Sequence, residues 1–319
     1  MKKDCERSSK TEEAGCGVAE CQSPLVFKRL TLESLEEIYP YLLSSGSSSC
    51  DYSAGGIYMW IDYFKYKYCI YEDTLFIKGV AEDNVERKAF SMPIGKLPLR
   101  ESVRLLCDYC DEHGYQLVFS AITEEVIDRF KALEPGCVTS LDQWADYIYS
   151  IDALASLSGK KLSKKRNHCN RFALDYPEAT FESIDDDNID AVRKCFTEIC
   201  ETAKDTPMAE FERGQVWHVL DHLKDYPFES MCLKVGDDVI GFTVGEVVNK
   251  VVHVHIEKAL HSYNGATETL NRRFADFIHM KYPRVEEVNR EDDAGDEGLR
   301  QAKMSYYPTR LLNKFNVSF

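Results

Sequence analysis

Near the C-terminus the run His253-Val254-His255-Ile256-Glu257 sets two imidazoles and a carboxylate at alternate positions of an apolar stretch. In a strand alternate residues share a face, so the three point the same way. An amine nucleophile is protonated near neutral pH and must shed a proton before it attacks a carbonyl. A carboxylate or an imidazole is suited to take it. Glu257 is the first candidate for that base, or for an anchor that binds a substrate amine. The competing reading is a polar stripe that is solvated or paired structurally. A His-x-His-x-Glu set could also hold zinc; no metal is assigned.

Downstream, His261-Ser262-Tyr263-Asn264-Gly265-Ala266 stands between a strand and a helix. Unpaired amides and the helix dipole make such a mouth an anion site. Gly265 would allow close approach, Ala266 would add an amide, and Ser262 or Asn264 a side-chain donor. An ordinary strand-to-helix turn with an Asn-Gly bend reads equally well. Asn289-Arg290-Glu291-Asp292-Asp293 follows another strand. Arg290 could clasp a phosphate or carboxylate, and Glu291 or Asp292 could hold an amino group. Alternatively this is a solvated charged loop. Arg300 and Lys303 fall on one helix face and would make a cationic pair suited to phosphate. A basic run, Lys160, Lys161, Lys164, Lys165, Arg166 and Arg171, interrupts an acidic chain. It is either a solvated helix or an RNA or polyphosphate contact.

The elements that must position these groups alternate between strands and helices. In the first half a strand at 26–30 leads to a helix from Thr31, strands at 66–71, 74–80 and 88–92, and a helix at 99–113 closed by Gly114. A strand at 116–121, a helix at 124–133 and a strand at 145–151 follow. The second half has a strand at 180–183, helices at 188–202 and 211–222, and strands at 231–235, 239–248 and 251–257. A helix at 267–280, a strand at 284–288, a helix from Glu297 and a last strand near 311–319 complete it. Both halves share one element order, without an evident residue-level repeat. The fold class is α/β.

The chain has 319 residues, a formal net charge of −15, 44% hydrophobic and 12% aromatic residues. Such a chain can fill one or two cores. Its acidity argues against broad nucleic-acid or anionic-membrane binding outside the basic run. No apolar run is long enough for a membrane span, and the N-terminus lacks a secretory h-region. Residues 1–23 read as a disordered tail, and the twelve cysteines as reduced cytoplasmic thiols. Cys107-x-x-Cys110 reads as part of a buried helix face rather than a zinc or redox pair. Trp144, Tyr147 and Tyr149 read as core, and residues 51–60 as an aromatic segment at a domain interface, with no role assigned.

Three stretches carry a family resemblance: residues 142–172, the HIEKA…YNGA…LN segment, and NREDDAGDEGLRQAKMSYYP at 289–308. They resemble an uncharacterised bacterial family related to the C-terminal domain of phosphatidylglycerol lysyltransferase. The resemblance implies two tandem GNAT-like (acyl-CoA N-acyltransferase-like) domains, each a mixed, largely antiparallel sheet flanked by helices. The boundaries would be 24–151 and 177–319, joined by a basic helical linker at 152–176, with the active cleft in the second domain. It implies an aminoacyl- or acyltransferase. The donor would be a charged tRNA, and the acceptor an amine or hydroxyl on a small molecule, peptide or lipid.

By the same resemblance the 262–266 loop corresponds to one that holds the pyrophosphate of coenzyme A, and Asn289 borders the cleft. Tyr306 corresponds to a tyrosine that protonates the leaving group, with Tyr307 next to it. The alternatives are an acyl-CoA-dependent N-acetyltransferase, with a coenzyme A thioester as cosubstrate, and a non-catalytic GNAT-like binding module.

Overall fold

The computed structural model describes residues 23–202 and 206–319. Except for Ser23, the expected tail lies outside the described residues. In chain order the elements are β1 (Lys28–Arg29), α1 (Leu35–Ser44), α2 (Ala54–Tyr58), β2 (Lys67–Tyr71), β3 (Thr74–Ala81), β4 (Asn84–Phe90), β5 (Ile94–Gly95), α3 (Leu99–His113), β6 (Val118–Thr123), α4 (Ile127–Lys131), β7 (Cys137–Ser140) and β8 (Asp146–Ser150). There follow α5 (Ile151–Ser156), α6 (Ser163–Asp175), β9 (Thr180–Ser183), α7 (Ile189–Glu201), α8 (Pro207–Asp221), β10 (Phe228–Val235), β11 (Asp238–Val248), β12 (Val251–Ala259), α9 (Ala266–Lys281), β13 (Glu287–Asn289), α10 (Glu297–Met304), β14 (Arg310–Leu312) and β15 (Lys314–Ser318).

Two mixed sheets result. One runs β1-β2-β3-β4-β6-β15-β7, with β5 on β3; the other runs β14-β8-β13-β12-β11-β10-β9. The halves exchange strands. β8, read as the end of the first domain, pairs antiparallel with β13 and β14 of the second sheet. β15, at the end of the chain, pairs with β6 and β7 of the first. Sheet membership therefore does not follow the 24–151 and 177–319 division. A strand's partner is set by which apolar faces meet, and chain proximity carries no such information.

Each sheet is antiparallel except at one seam. β4 lies parallel to β6, and β12 lies parallel to β13 with Val251, Val252 and His253 opposite Glu287, Val288 and Asn289. The second seam is short, and pairing stops at His253 and Asn289. Beyond them β12 continues to Ala259 along β11, while the other chain leaves as the 290–296 loop. Two strands that part leave a gap between them, and side chains from both reach into it. β12 also carries a bulge there. Val244 faces Ile256 and Gly245 faces Val254, so His255 is the extra residue. Bulges re-aim side chains. Val252 and Val254 pack with Phe274 under α9, whereas Ile256 joins Phe242 and Val244 in the larger core. The strict alternation expected along 253–257 does not survive this bulge.

A buried polar network locks residues 46–53 onto this seam. Lys314 Nζ on β15 lies 2.8 Å from Asp51 Oδ2 and 2.8 Å from Asp146 Oδ1. Asp146 Oδ2 accepts from the Cys50 amide at 3.0 Å and Asn289 Nδ2 at 2.8 Å. Asn289 Nδ2 also donates to the Ser48 carbonyl at 2.8 Å, and its Oδ1 accepts the Glu291 amide at 2.6 Å. Buried charges persist where they are paired and hydrogen-bonded in this way.

Candidate active site

Where the seam opens, a cavity of about 280 Å³ lies between the two halves. From the first half it takes Asp51, Trp60, Tyr63, Phe64, Glu82 and Trp144. From the second it takes His255, Glu257 and Lys258 of β12, Arg290–Asp293 of the loop, and Leu299 and Lys303 of α10, with Glu212 of α8 at its edge. Trp60 stacks on Phe211 at 5.6 Å, giving the aromatic wall a second layer. Carboxylates outnumber cations here, and aromatic rings line the same space. Such walls favour a cationic ligand.

Two ionic clusters shape the chemistry. In the first, Glu257 Oε1 accepts from Arg290 Nη2 at 2.8 Å, and Oε2 from Asn271 Nδ2 at 2.9 Å. Arg290 lies over the Tyr306 ring at 4.9 Å and the Tyr149 ring at 5.8 Å, and its Nη1 is buried without a partner. In the second, His255 Nδ1 lies 2.8 Å from Glu291 Oε1, and its Nε2 lies 3.4 Å from Glu246 Oε2. Burial alone would lower the His255 pKa; the Glu246 and Glu291 carboxylates outweigh it and hold it up at about 9. Neighbouring His253 is fully enclosed with both ring nitrogens unpartnered, and burial together with the His255 charge brings it down to about 4. Burial raises the Asp292 carboxyl to about 6, against the pull of Lys314. Burial lowers the Lys303 ammonium, whose Nζ donates to the Asp292 carbonyl.

The structure brings Glu257, Arg290 and Lys303 to one cavity but alters what each can do. Glu257 has both oxygens engaged, so it is an anchor for Arg290 rather than a free base. Asn289 spends its amide on Ser48, Asp146 and Glu291 and is not part of the cavity lining. Arg300 makes a two-point contact with Asp293, at 3.0 and 2.8 Å, so the expected cationic pair with Lys303 is not formed. Tyr306 is buried outside the cavity lining, its ring between Arg290 and Lys165 and its hydroxyl unpartnered. Burial pushes that phenol well above its usual range. Tyr307 is half exposed, beside Lys161.

The 262–266 loop lies apart from the cavity. Gly265 takes φ +85°, and a Cβ there would fall 2.5 Å from the His168 carbonyl of α6. The close approach it permits is therefore to α6, and Ala266 donates its amide to the Tyr263 carbonyl at 3.1 Å. Ser262 and Asn264 remain exposed. In the basic run, Lys165 pairs with Glu268 at 3.4 Å, Arg166 caps the Leu157 carbonyl at 2.5 Å, and Arg171 pairs with Asp175 at 2.7 Å. Lys160, Lys161 and Lys164 are exposed.

Sequence reasoning placed residues 51–60, with Asp51 and Trp60, at a domain interface without a role and read Trp144 as core, whereas all three line the cavity; it did not find Glu82, Glu246, Tyr63 or Phe64. One signal was present: Gly55-Gly56 inside an aromatic segment marks a close approach. Among the described residues no group of three or more His, Cys, Asp or Glu is arranged to hold a metal, and no helix is long and apolar enough to cross a membrane.

The model of a family described as phosphatidylglycerol lysyltransferase, C-terminal, matches residues 44–318. A crystal structure of a conserved protein of unknown function from Bacteroides thetaiotaomicron is similar at 29% identity and TM-score 0.82, covering 92% of this chain and 99% of that one. The structure of L-PGS from Bacillus licheniformis is similar in fold at 14% identity and TM-score 0.63, covering 89% and 91%. An uncharacterised protein of Mycoplasmoides gallisepticum is 23% identical over 173 residues, which are 54% of this chain and 55% of that protein. This chain thus spans about half the length of that curated relative. The two sheets with their helices form a tandem GNAT-like fold.

Proposed function

The chain belongs to the family of phosphatidylglycerol lysyltransferase C-terminal domains, and from that premise and the cavity's chemistry we propose that it transfers an aminoacyl group from a charged tRNA to an amine or hydroxyl acceptor. The observation that carries this reading is Arg290. A guanidinium with one nitrogen buried and unpartnered sits in a cavity whose lining is rich in carboxylates and aromatic rings. An unpaired buried donor is costly unless a ligand satisfies it. In this reading Nη1 of Arg290 binds the ester carbonyl and its developing oxyanion. The ammonium of the aminoacyl group sits among Asp51, Glu82 and Asp292 against Trp60 and Trp144. Glu291 accepts the proton of the nucleophile as the new bond to the carbonyl carbon forms. The bond to the ribose oxygen then breaks, and that oxygen takes the proton back from Glu291.

Two further points support this reading. The cavity sits at the small end of ligand pockets, which run from roughly 300 to 1,000 Å³, and so suits one aminoacyl group better than a nucleotide. The exposed Lys160, Lys161 and Lys164 offer contacts for the tRNA backbone. A coenzyme A thioester is less well supported, because the 262–266 loop that would hold its pyrophosphate packs on α6.

The test is release of label from aminoacyl-tRNA charged with radioactive amino acid, in the presence of amine and hydroxyl acceptors. Wild type should deacylate at least one charged tRNA faster than buffer does. Glu291→Gln should lose about 10²-fold in rate, and Lys160/Lys161/Lys164→Ala should raise KM. Release no faster than buffer across all charged tRNAs overturns the reading.

A further inference from the structure

His255 is the extra residue of the β11–β12 bulge, and its side chain is fully enclosed. It has a carboxylate at each ring nitrogen, Glu291 at 2.8 Å and Glu246 at 3.4 Å. Nδ1 is hydrogen-bonded to Glu291, while Nε2 makes no hydrogen bond and faces Glu246 as a charge contact; a lone pair on either nitrogen would point at a carboxylate, so a proton is favoured on both. Only the imidazolium carries two N–H groups. Glu246 is itself fixed from below, accepting the amides of Ala54 and Gly55 at 3.1 and 3.0 Å. Gly55 is also what admits the ring, since a Cβ there would lie 2.3 Å from His255 Cδ2 and Nε2.

At the other end Glu291 holds φ +58°, an uncommon backbone state for a residue with a side chain. Its amide is bound to Asn289 Oδ1 at 2.6 Å, and its carbonyl accepts the Tyr147 amide at 3.1 Å. Three separate elements thus converge to place one carboxylate at the cavity wall.

We propose that His255 is a positioning residue, a fixed cation between Glu246 and Glu291 that holds the Glu291 carboxylate in the cavity by Oε1 and leaves Oε2 for the ligand. What Glu291 then does rests on the transfer reading above; the charge and the placement of His255 do not. The titratable groups around the unit are His253 on the same strand, Tyr39 of α1 against Glu246, Asp146 of β8 and Lys314 of β15 beyond His253, and Cys50, Asp292 and, from α10, Lys303 around Glu291. Phe228 of β10 covers the ring at 5.5 Å.

The experiment uses the full chain with nitrogen-15-labelled histidine. The His255 signals are assigned by their loss in His255→Gln, and the ring is titrated by NMR in wild type and in Glu291→Gln. Both His255 nitrogens should carry protons at pH 7.5 in wild type, with deprotonation only well above that pH. Glu291→Gln should move the midpoint down by a unit or more. A wild-type His255 that titrates in the ordinary histidine range overturns the proposal, as does a midpoint unmoved in Glu291→Gln.

Kinetics provide the second readout. His255→Gln should lower kcat by about 10²-fold with little change in KM. An unchanged kcat, or a loss carried by KM alone, overturns the positioning role. A protonated, Glu291-dependent His255 in a protein that turns over no charged tRNA would sink the transfer reading alone and leave the fixed cation standing.

Discussion

Gly55→Ala is the sharpest probe of how the cavity is built. The added Cβ would sit 2.3 Å from His255 Cδ2 and Nε2 and 2.6 Å from Cε1. Ordinary contact between such atoms needs about 3.5–4.0 Å, so the ring must retreat by more than about 1 Å. It has little room, since it is fully enclosed with Phe228 on one side and His253 stacked 6.3 Å away on the other. Overpacking of this kind costs about 1–3 kcal/mol. Drawing the imidazolium away weakens the charge-assisted hydrogen bond to Glu291, worth about 1.5–3 kcal/mol, and lengthens the charge contact with Glu246. The better helix propensity of alanine in α2 returns up to about 1 kcal/mol. The expected net loss is about 2–4 kcal/mol, a fall in Tm of roughly 4–8 °C at about 2 °C per kcal/mol. Thermal unfolding followed by circular dichroism measures it. Gly214→Ala in α8 is the control, an exposed helical glycine with nothing within 4 Å of the added Cβ; it should be neutral or slightly stabilising. A Gly55→Ala protein with wild-type Tm and an unmoved His255 signal would refute this account of the glycine.

Two other perturbations test the surrounding electrostatics. Lys314→Met leaves Asp146 buried without its cation and should cost about 3–5 kcal/mol in urea unfolding. Adding Asp146→Asn should recover part of that loss, and strict additivity would count against the pairing. Asp292 has a folded pKa of about 6, above its ordinary 3.8. Its contribution to stability is therefore present below pH 3.8 and is lost as pH rises through 6. The carboxylate that forms over that window faces the cavity, so calorimetric binding of lysine methyl ester should tighten between pH 5 and 7. A flat profile would rule Asp292 out of ligand binding.

Local physics was the legible part of this chain. The helix at Leu99–His113 has a clean apolar stripe, and Gly114 takes the left-handed conformation that ends it. Glu72 and Asp73 both adopt positive φ between β2 and β3, as a tight hairpin requires. α2 was hidden because Ala-Gly-Gly-Ile-Tyr has poor helix propensity and is held by Ser53 and Glu246 instead. The β8 and β15 exchange was hidden because a short apolar strand does not name its partner. At the site, residue type predicted that Glu257, Arg290 and Lys303 matter together. It could not show that Glu257 and Arg290 engage each other, nor that Lys165 pairs with Glu268 of α9 and Arg166 binds the Leu157 carbonyl. Those facts depend on distances across 33 and 103 residues of chain in the case of Arg290–Glu257 and Lys165–Glu268. The bulge at His255 has no local signature, and it is the feature that turns an alternating stripe into two separate ionic clusters.

The location of the cavity follows from where backbone pairing ends. β12 and β13 hydrogen-bond only as far as His253 and Asn289, and the next residues on the two chains, His255, Glu257, Arg290 and Glu291, are those that carry charge into the gap. An opened seam exposes polar groups that water or protein must satisfy. Here protein does so from the opposite half, through the Ser48 carbonyl, the Cys50 amide and the Ala54 and Gly55 amides. That support depends in turn on Lys314, which reaches the seam only because β15 returns to the first sheet while β8 joins the second. The strand exchange and the acidic cavity are therefore one construction. The crossing strands deliver the buried cation, the cation permits the buried Asp146, and Asp146 with Asn289 fixes the loop on which Arg290 and Glu291 stand.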